Sequence, residues 1–412
     1  MSGYTVGLTS TDGVYIDGQL SVSGDMTGPL SARMILRDPS VDAAVMETAR
    51  GGLLRGGLGY QECNVAAALN VSADHLGLRG IDTLEQLAEV KRVPVEVAKD
   101  AAVLNADDRL CLQMADYTEA ERLCYVTMNP SHALVKQHIR AGGQAFVLEE
   151  GMNGHMITIY DNGGHTPLLW THLIPATVEG RAMHNVQNAM FAAALAYNME
   201  VGLEDVRHGL RTFDSTWFQA PGRMNIFDEH PFKVILDYAH NPAAVRAMCN
   251  LVDRFEPEGR RIVVLAAPGD RRDEDIRDIA GIAAGHFDYY ICRRDDNLRG
   301  RGADEVAVML KNRLLECDVP SGSIEVVPDE QEATSRALAL AESGDLVLIL
   351  GDNIKRTWKQ IIYFNSGAKS EEPGRKAAAS IDLPDTDDFS FDENLEIISD
   401  ERGVRIAREP GD

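Results

Sequence analysis

An α/β fold in two lobes, each a mostly parallel sheet flanked by helices, with an acidic tail behind them, is what the 412 residues predict. Three observations carry this reading. Short, β-rich apolar runs alternate with helical patterns along most of the chain. A Pro-Gly pair at Pro221-Gly222 interrupts the alternation halfway, as a hinge or boundary would. From residue 366 to 412 large apolar side chains thin out, and thirteen acidic residues face six basic ones. Such a segment buries too little surface to offset its ordering entropy, so a solvated, disordered tail is expected there. The domains predicted are residues 1–220, 221–365 and 366–412.

In the first lobe, residues 41–46 (VDAAVM) and 65–71 (VAAALNV) are short apolar runs ending in polar residues and read as buried strands. Residues 83–99 read as a helix that Pro94 should kink or divide. Short strands follow at 102–104, 124–127, 145–148 and 156–160, then a turn at 161–164 and a strand at 166–170. Residues 185–197 and 203–212 read as packed helices, the first rich in Ala and able to lie close to a sheet. After the Pro-Gly pair the alternation is cleaner. Strands are predicted at 233–236, 261–266, 289–292, 323–327 and 346–350. Helices are predicted at 242–255, 273–284, 303–315, 330–343 and 354–364. Within the tail, residues 400–403 between two short apolar stretches offer a hairpin as the lesser alternative.

Composition narrows the function classes. A hydrophobic share of 44% with 25% charged residues is that of an ordinary globular protein. A formal charge of −24 repels phosphate backbones and anionic lipid, which argues against nucleic-acid or membrane binding. The longest apolar run, near residues 191–197, is far shorter than the roughly 20 residues a bilayer requires. The first ten residues lack the layout of an export signal. Six cysteines without a C-x-x-C pair read as reduced thiols, so a cytoplasmic location is expected.

Chemistry concentrates at the ends of the predicted strands, where open parallel sheets gather their ligands. ETARGG (residues 47–52) puts Glu47 after the first strand, either as an oxygen ligand for Mg²⁺ or as a salt-bridged turn residue. NVSADHLG (70–77) puts Asp74 and His75 after the second, with Lys91 sixteen residues beyond His75 on the next helix. On the residues alone, His75 is as well explained by a structural hydrogen bond as by a metal, and Lys91 as a solvated surface lysine. In the second lobe DYAHNP (237–242), PGDRRDEDI (268–276) and DDNLRGR (295–301) end three successive strands with Asp, Asn and Arg. Packing does not require polar residues at every one of them, so a binding face is the better reading. The chain has no G-x-x-x-x-G-K-[ST] and no Gly-Lys dipeptide, so it holds no Walker-type phosphate loop. Neither G-x-G triplet (57–59, 300–302) gains the third Gly of a dinucleotide fingerprint, which weakens oxidoreductase readings.

Together these strings resemble the Mur-ligase-like region of the cyanophycin synthetases. The likeness runs in order through TSTDGVYIDG (9–18), GDMTGPLSAR (24–33), ETARGGLLRGGLG (47–59), NVSADHLG and Lys91. It continues through LNADD (104–108), HNVQNAMFAA (184–193), PGRMN (221–225), DYAHNP, PGDRRDEDI and GDNIKRTW (351–358). TSTDGVYIDG with ARGG marks this branch, whereas DYAHNP and HN-x-x-N are shared with other Mur ligases and folylpolyglutamate synthases.

The resemblance implies a Mur-ligase-like central domain and a Rossmann-like C-terminal domain. It also implies an ATP- and Mg²⁺-dependent ligase that adds L-arginine to the side-chain carboxylate of a polyaspartate backbone through an acyl phosphate. Glu47 and His75 match the family's Mg²⁺ ligands, and Lys91 the lysine whose carbamate supports a second metal. Asn185 and Asn188 match residues that read adenine, Arg223 and Asp237 those that meet phosphate and ribose. His240, Arg271, Asn297 and Arg299 match positions around the incoming substrate. The partners implied are L-arginine and the aspartate/arginine polymer, with a homo-oligomeric full-length protein.

One departure stands out. The family's phosphate loop should lie about twenty residues before TSTDGVYIDG, but only eight residues precede it. The expectation is an internal start or fragment, truncated at its N-terminus and impaired in ATP turnover. The alternatives are a non-catalytic module that binds the polymer or a complete synthetase, or another Mur-type ligase.

Overall fold

A computed structural model of the chain describes residues 3–73, 76–77, 79–365, 395–400 and 403–408. It divides into two compact units, Met1–Ala368 and Lys369–Asp412.

The larger unit begins with β1 (Val6–Ser10), β2 (Gly13–Ile16), β3 (Gln19–Ser23), α1 (Pro29–Arg37), β4 (Ala43–Met46) and α2 (Arg50–Gly56). β1 to β3 form an antiparallel meander, and β4 joins β1 in parallel, so the first sheet runs β3-β2-β1-β4. The next elements are β5 (Cys63–Ala68), α3 (Leu84–Glu96), β6 (Ala98–Asn105), α4 (Arg109–Gln113), β7 (Arg122–Thr127) and α5 (Ala133–Arg140). Then come β8 (Gln144–Gly151), β9 (Gly154–Asp161), β10 (Gly164–Trp170), α6 (Met183–Asn198) and α7 (Leu203–Thr212). β5 to β8 are parallel, and β9 and β10 extend the sheet antiparallel.

Period-two alternation explains why these strands are apolar throughout. Ala102 and Leu104 of β6 pack toward Leu87 and Val95 of α3, while Val103 between them packs toward Val186 and Met190 of α6. Pro94, expected to kink or divide the helix, does neither. It sits in the last turn of α3, which ends two residues later at Glu96, so little helix remains beyond it to be redirected.

The third sheet uses β11 (Asn225–Phe227), β12 (Lys233–Asp237), α8 (Pro242–Val252), β13 (Arg261–Leu265), α9 (Asp273–Ala283) and β14 (Tyr289–Cys292). α10 (Glu305–Glu316), β15 (Ile324–Val326), α11 (Glu330–Leu340), β16 (Leu346–Leu350) and α12 (Ile354–Tyr363) complete it. Its order is β11-β12-β16-β13-β14-β15, parallel except for β11. One face packs on α8, α9 and α10 through Val245, Ile279 and Leu310, the other on α11 and α12 through Ala337 and Ile361.

The smaller unit contains one antiparallel hairpin, β17 (Leu395–Asp400) and β18 (Gly403–Arg408). Most of the segment expected to be a solvated tail lies outside the described residues; its two described strands pair as the hairpin that the sequence offered as the lesser alternative. Among the described residues no helix is long and apolar enough to cross a membrane.

Candidate active site

Glu47 directly follows β4 and is exposed. The backbone amide of Thr11 donates to its Oε2 at 3.0 Å, and the Thr11 hydroxyl donates to Oε1 at 3.0 Å. The tip of the β1–β2 turn thus holds this carboxylate in place. The glycines behind it serve close packing: a β-carbon at Gly52 would lie 3.0 Å from the Gly28 α-carbon and 3.1 Å from the Thr27 carbonyl oxygen. A fixed, exposed carboxylate at a strand end has the donor chemistry of one ligand to a hard divalent cation. Among the described residues no three His, Cys, Asp or Glu side chains cluster to hold a metal. Asp74 and His75 lie outside the described residues.

The loop that leads to His75 is firmly anchored. Asn105 donates to the Leu69 carbonyl at 2.6 Å, and Asp108 accepts the Val71 amide at 2.7 Å while capping α4. LNADD therefore fastens the strand end that precedes the imidazole. Lys91 reaches the same loop, donating from Nζ to the Asn70 carbonyl at 3.0 Å. Farther along, Gly77 meets Arg272 at the start of α9. A β-carbon there would lie 3.7 Å from the arginine Cδ. The loop after β5 thus abuts the lobe built on the third sheet.

In that lobe the strand ends converge. Tyr238 and His240 after β12, Pro268 after β13, Asp295 after β14 and Asp352 after β16 line one pocket. His240 Nδ1 lies 2.8 Å from the Tyr238 carbonyl oxygen, and the two rings are 4.9 Å apart. Asp295 is buried, and loss of water pushes its carboxyl up to about 6. Arg299 pairs with Asp270 at 2.8 Å, and its amide donates to Asn297 Oδ1 at 3.0 Å. Arg271 is buried, with Asp270 3.7 Å away. Four predicted residues (His240, Arg271, Asn297 and Arg299) thus lie on the strand-end loops around this pocket.

The other four lie at or near the junction of the lobes. Asn185 donates to the Ala176 carbonyl at 2.7 Å and accepts from Asn188 at 3.1 Å, at the start of α6. His184 beside them is pushed down to about 4 by burial, so it stays neutral at pH 7. Arg223 is exposed, 5.6 Å from the centre of the Tyr238 ring. Asp237 accepts the Met224 amide at 2.8 Å, and burial raises its carboxyl to about 6 despite that bond and the nearby Arg223. Gly222, at φ +71°, makes the turn possible; a β-carbon there would strike Ile354 at 2.8 Å. Asn225 is fully buried and closes the turn with bonds to Ser215, Ala220 and Gly222.

Thr11, Tyr238, Asp295 and Asp352 received no role from the sequence. Tyr238 and Asp295 stand inside the strand-end strings DYAHNP and DDNLRGR, and that position was their signal; Thr11 and Asp352 stand in TSTDGVYIDG and GDNIKRTW, strings that mattered only for the resemblance. Arg293, which lines the pocket, and Glu330, which pairs with it at 3.2 Å, carried no signal.

The segment 3–196 matches the Mur ligase middle domain, and 222–353 matches the Mur ligase, glutamate ligase domain. The chain belongs to the Mur ligase family. It is 43% identical over 368 residues to the cyanophycin synthetase of Trichormus variabilis, an alignment covering 87% of this chain and 39% of that protein. The cyanophycin synthetase of Synechocystis sp. is 42% identical over 357 residues, covering 86% and 40%. The chain thus spans about two fifths of the length of these curated relatives. The fold is shared with a bifunctional folylpolyglutamate synthase/dihydrofolate synthase from Yersinia pestis, with a TM-score of 0.61 at 19% identity, covering 88% of this Mur ligase chain and 82% of that one.

Proposed function

We propose that this chain is the amide-forming region of an ATP-dependent ligase that joins L-arginine to the β-carboxylate of a polyaspartate backbone. In the reaction a carboxylate oxygen attacks the γ-phosphorus of ATP and ADP leaves. The amine nitrogen then attacks the acyl carbon, phosphate departs and the amine gives up a proton. A divalent cation, Mg²⁺ in our reading, offsets repulsion between the two anions. Glu47, held by Thr11, would be one of its ligands, with His75 and Lys91 assigned beside it.

Asn185 and Asn188 would meet the base, and Arg223 and Asp237 the phosphate and ribose. His240, Arg271, Asn297 and Arg299 would surround the incoming amino acid. In this reading residues 1–220 form the nucleotide lobe and 221–365 the amino-acid lobe. The observation that carries it is the meeting of the ends of β12, β13, β14 and β16 on one pocket whose polar groups are Tyr238, His240, Arg293, Asp295 and Asp352, in a lobe that the loop after β5 touches through Gly77 and Arg272.

One sequence fact favours a second reading, a non-catalytic module that binds the polymer: the 412 residues hold no Walker-type loop. Titration calorimetry separates the two. Heat of L-arginine binding that vanishes in Arg299→Ala supports the ligase pocket. Polymer binding without any arginine heat supports the module.

A further inference from the structure

Glu330 opens α11 and is completely buried. A carboxylate in that position must be matched by cations or N–H groups, or it would lose its charge. It has four partners. Oε1 accepts the Asp352 amide at 2.6 Å and faces Arg293 Nη2 at 3.2 Å. Oε2 accepts the Asn353 amide at 3.2 Å and a guanidinium N–H of Arg356. Arg293 is itself only 1% exposed, donates to the Leu350 carbonyl at 2.6 Å and lies 3.4 Å from Asp295. One carboxylate therefore ties the end of β14 to the turn between β16 and α12.

Those are the segments that bring Asp295 and Asp352 to the pocket. They are also cross-linked directly, the Asp296 amide donating to Asp352 at 3.0 Å and Arg356 pairing with Asp296 at 2.7 Å. A buried ion pair stabilises a core no better than well-packed apolar residues of similar size. What this network adds is orientation.

We propose that Glu330 is a positioning residue for the pocket, holding Asp295 through Arg293 and Asp352 through its backbone amide. The pocket's role as the seat of the incoming amino acid rests on the function proposed above; the positioning itself does not.

The test uses the full chain and Glu330→Gln, which keeps the shape and removes the charge. Amide hydrogen exchange is followed at residues 293–297 and 350–354, with thermal unfolding and L-arginine calorimetry alongside. Exchange at both segments should quicken at least tenfold while α8 and α9 are unchanged, and the arginine Kd should rise at least tenfold. Glu330→Asp, which keeps the charge, should restore protection at 350–354. If Glu330→Gln does not fold, Arg356→Gln removes one partner from a more exposed site and should give the same local pattern, weaker. Unchanged exchange at the two segments overturns the proposal, as does an increase spread evenly over the lobe in step with a lower Tm. If the parent chain yields no arginine heat, the amine-pocket reading fails, and the exchange data still decide whether Glu330 positions the two carboxylates.

Discussion

Asp295 is 7% exposed among Arg293, Arg299, Asp352 and Glu330. Burial is the main cause of its raised carboxyl, with Arg293 opposing the rise and Asp352 adding to it. Because the folded value, about 6, exceeds the ordinary 3.8, the native state keeps this proton longer than the unfolded chain does. The resulting stability is fully present below pH 3.8 and is lost as pH climbs through about 6. A gap of two units corresponds to about 3 kcal/mol. Asp295→Asn cannot titrate, so its stability relative to the parent should rise by ~2–3 kcal/mol between pH 4 and 7. Urea unfolding at several pH values measures this; parallel curves would mean that the carboxyl ionises as freely as in the unfolded state. Strand-end position made Asp237, Asp270 and Asp295 visible as candidates in the sequence. Glu330 stayed hidden because an acidic residue in the first turn of a helix is ordinary, and only its complete burial makes it unusual.

Helix α3 carries Lys91 and starts with a capping box. Thr83 accepts the Gln86 amide at 3.2 Å, and the Gln86 side chain reaches back to the Thr83 amide. Thr83→Ala should cost about 1 kcal/mol in urea unfolding. A loss below a few tenths would show that tertiary packing alone sets this end of the helix. Elements of this kind were legible wherever strands are buried on both faces. β14 and β16 read as unbroken apolar runs, and α7 shows a clear polar and apolar division. The first forty residues were not legible. β1 to β3 are short and half-exposed, and α1 is nine residues long with only Ser31, Ala32 and Ile35 buried. α5 was missed as well, a helix of eight residues with Val135 its one buried residue.

At the scale of the whole chain, the strand-end side chains are in place, but no Gly-Lys loop is available to cradle a γ-phosphate. Arginine- and polymer-dependent phosphate release by these 412 residues alone should therefore stay at background. Robust turnover would require a phosphate-binding device of another kind, and His75→Ala should then abolish it if the metal assignment holds. The −24 charge should also leave the chain unretained on heparin at physiological salt.

β4 and β5 each end a sheet, although both are parallel strands of the apolar kind normally found in a sheet's interior. Among the described residues neither has a strand beside its outer row of backbone donors and acceptors, and on β4 Val45 is 52% exposed. Such rims are adhesive: any extended peptide of matching length can zip onto them, another molecule of the same protein included. Concentrated solutions should coarsen over time in light scattering, and a lysine in place of Val45 should keep the particles small.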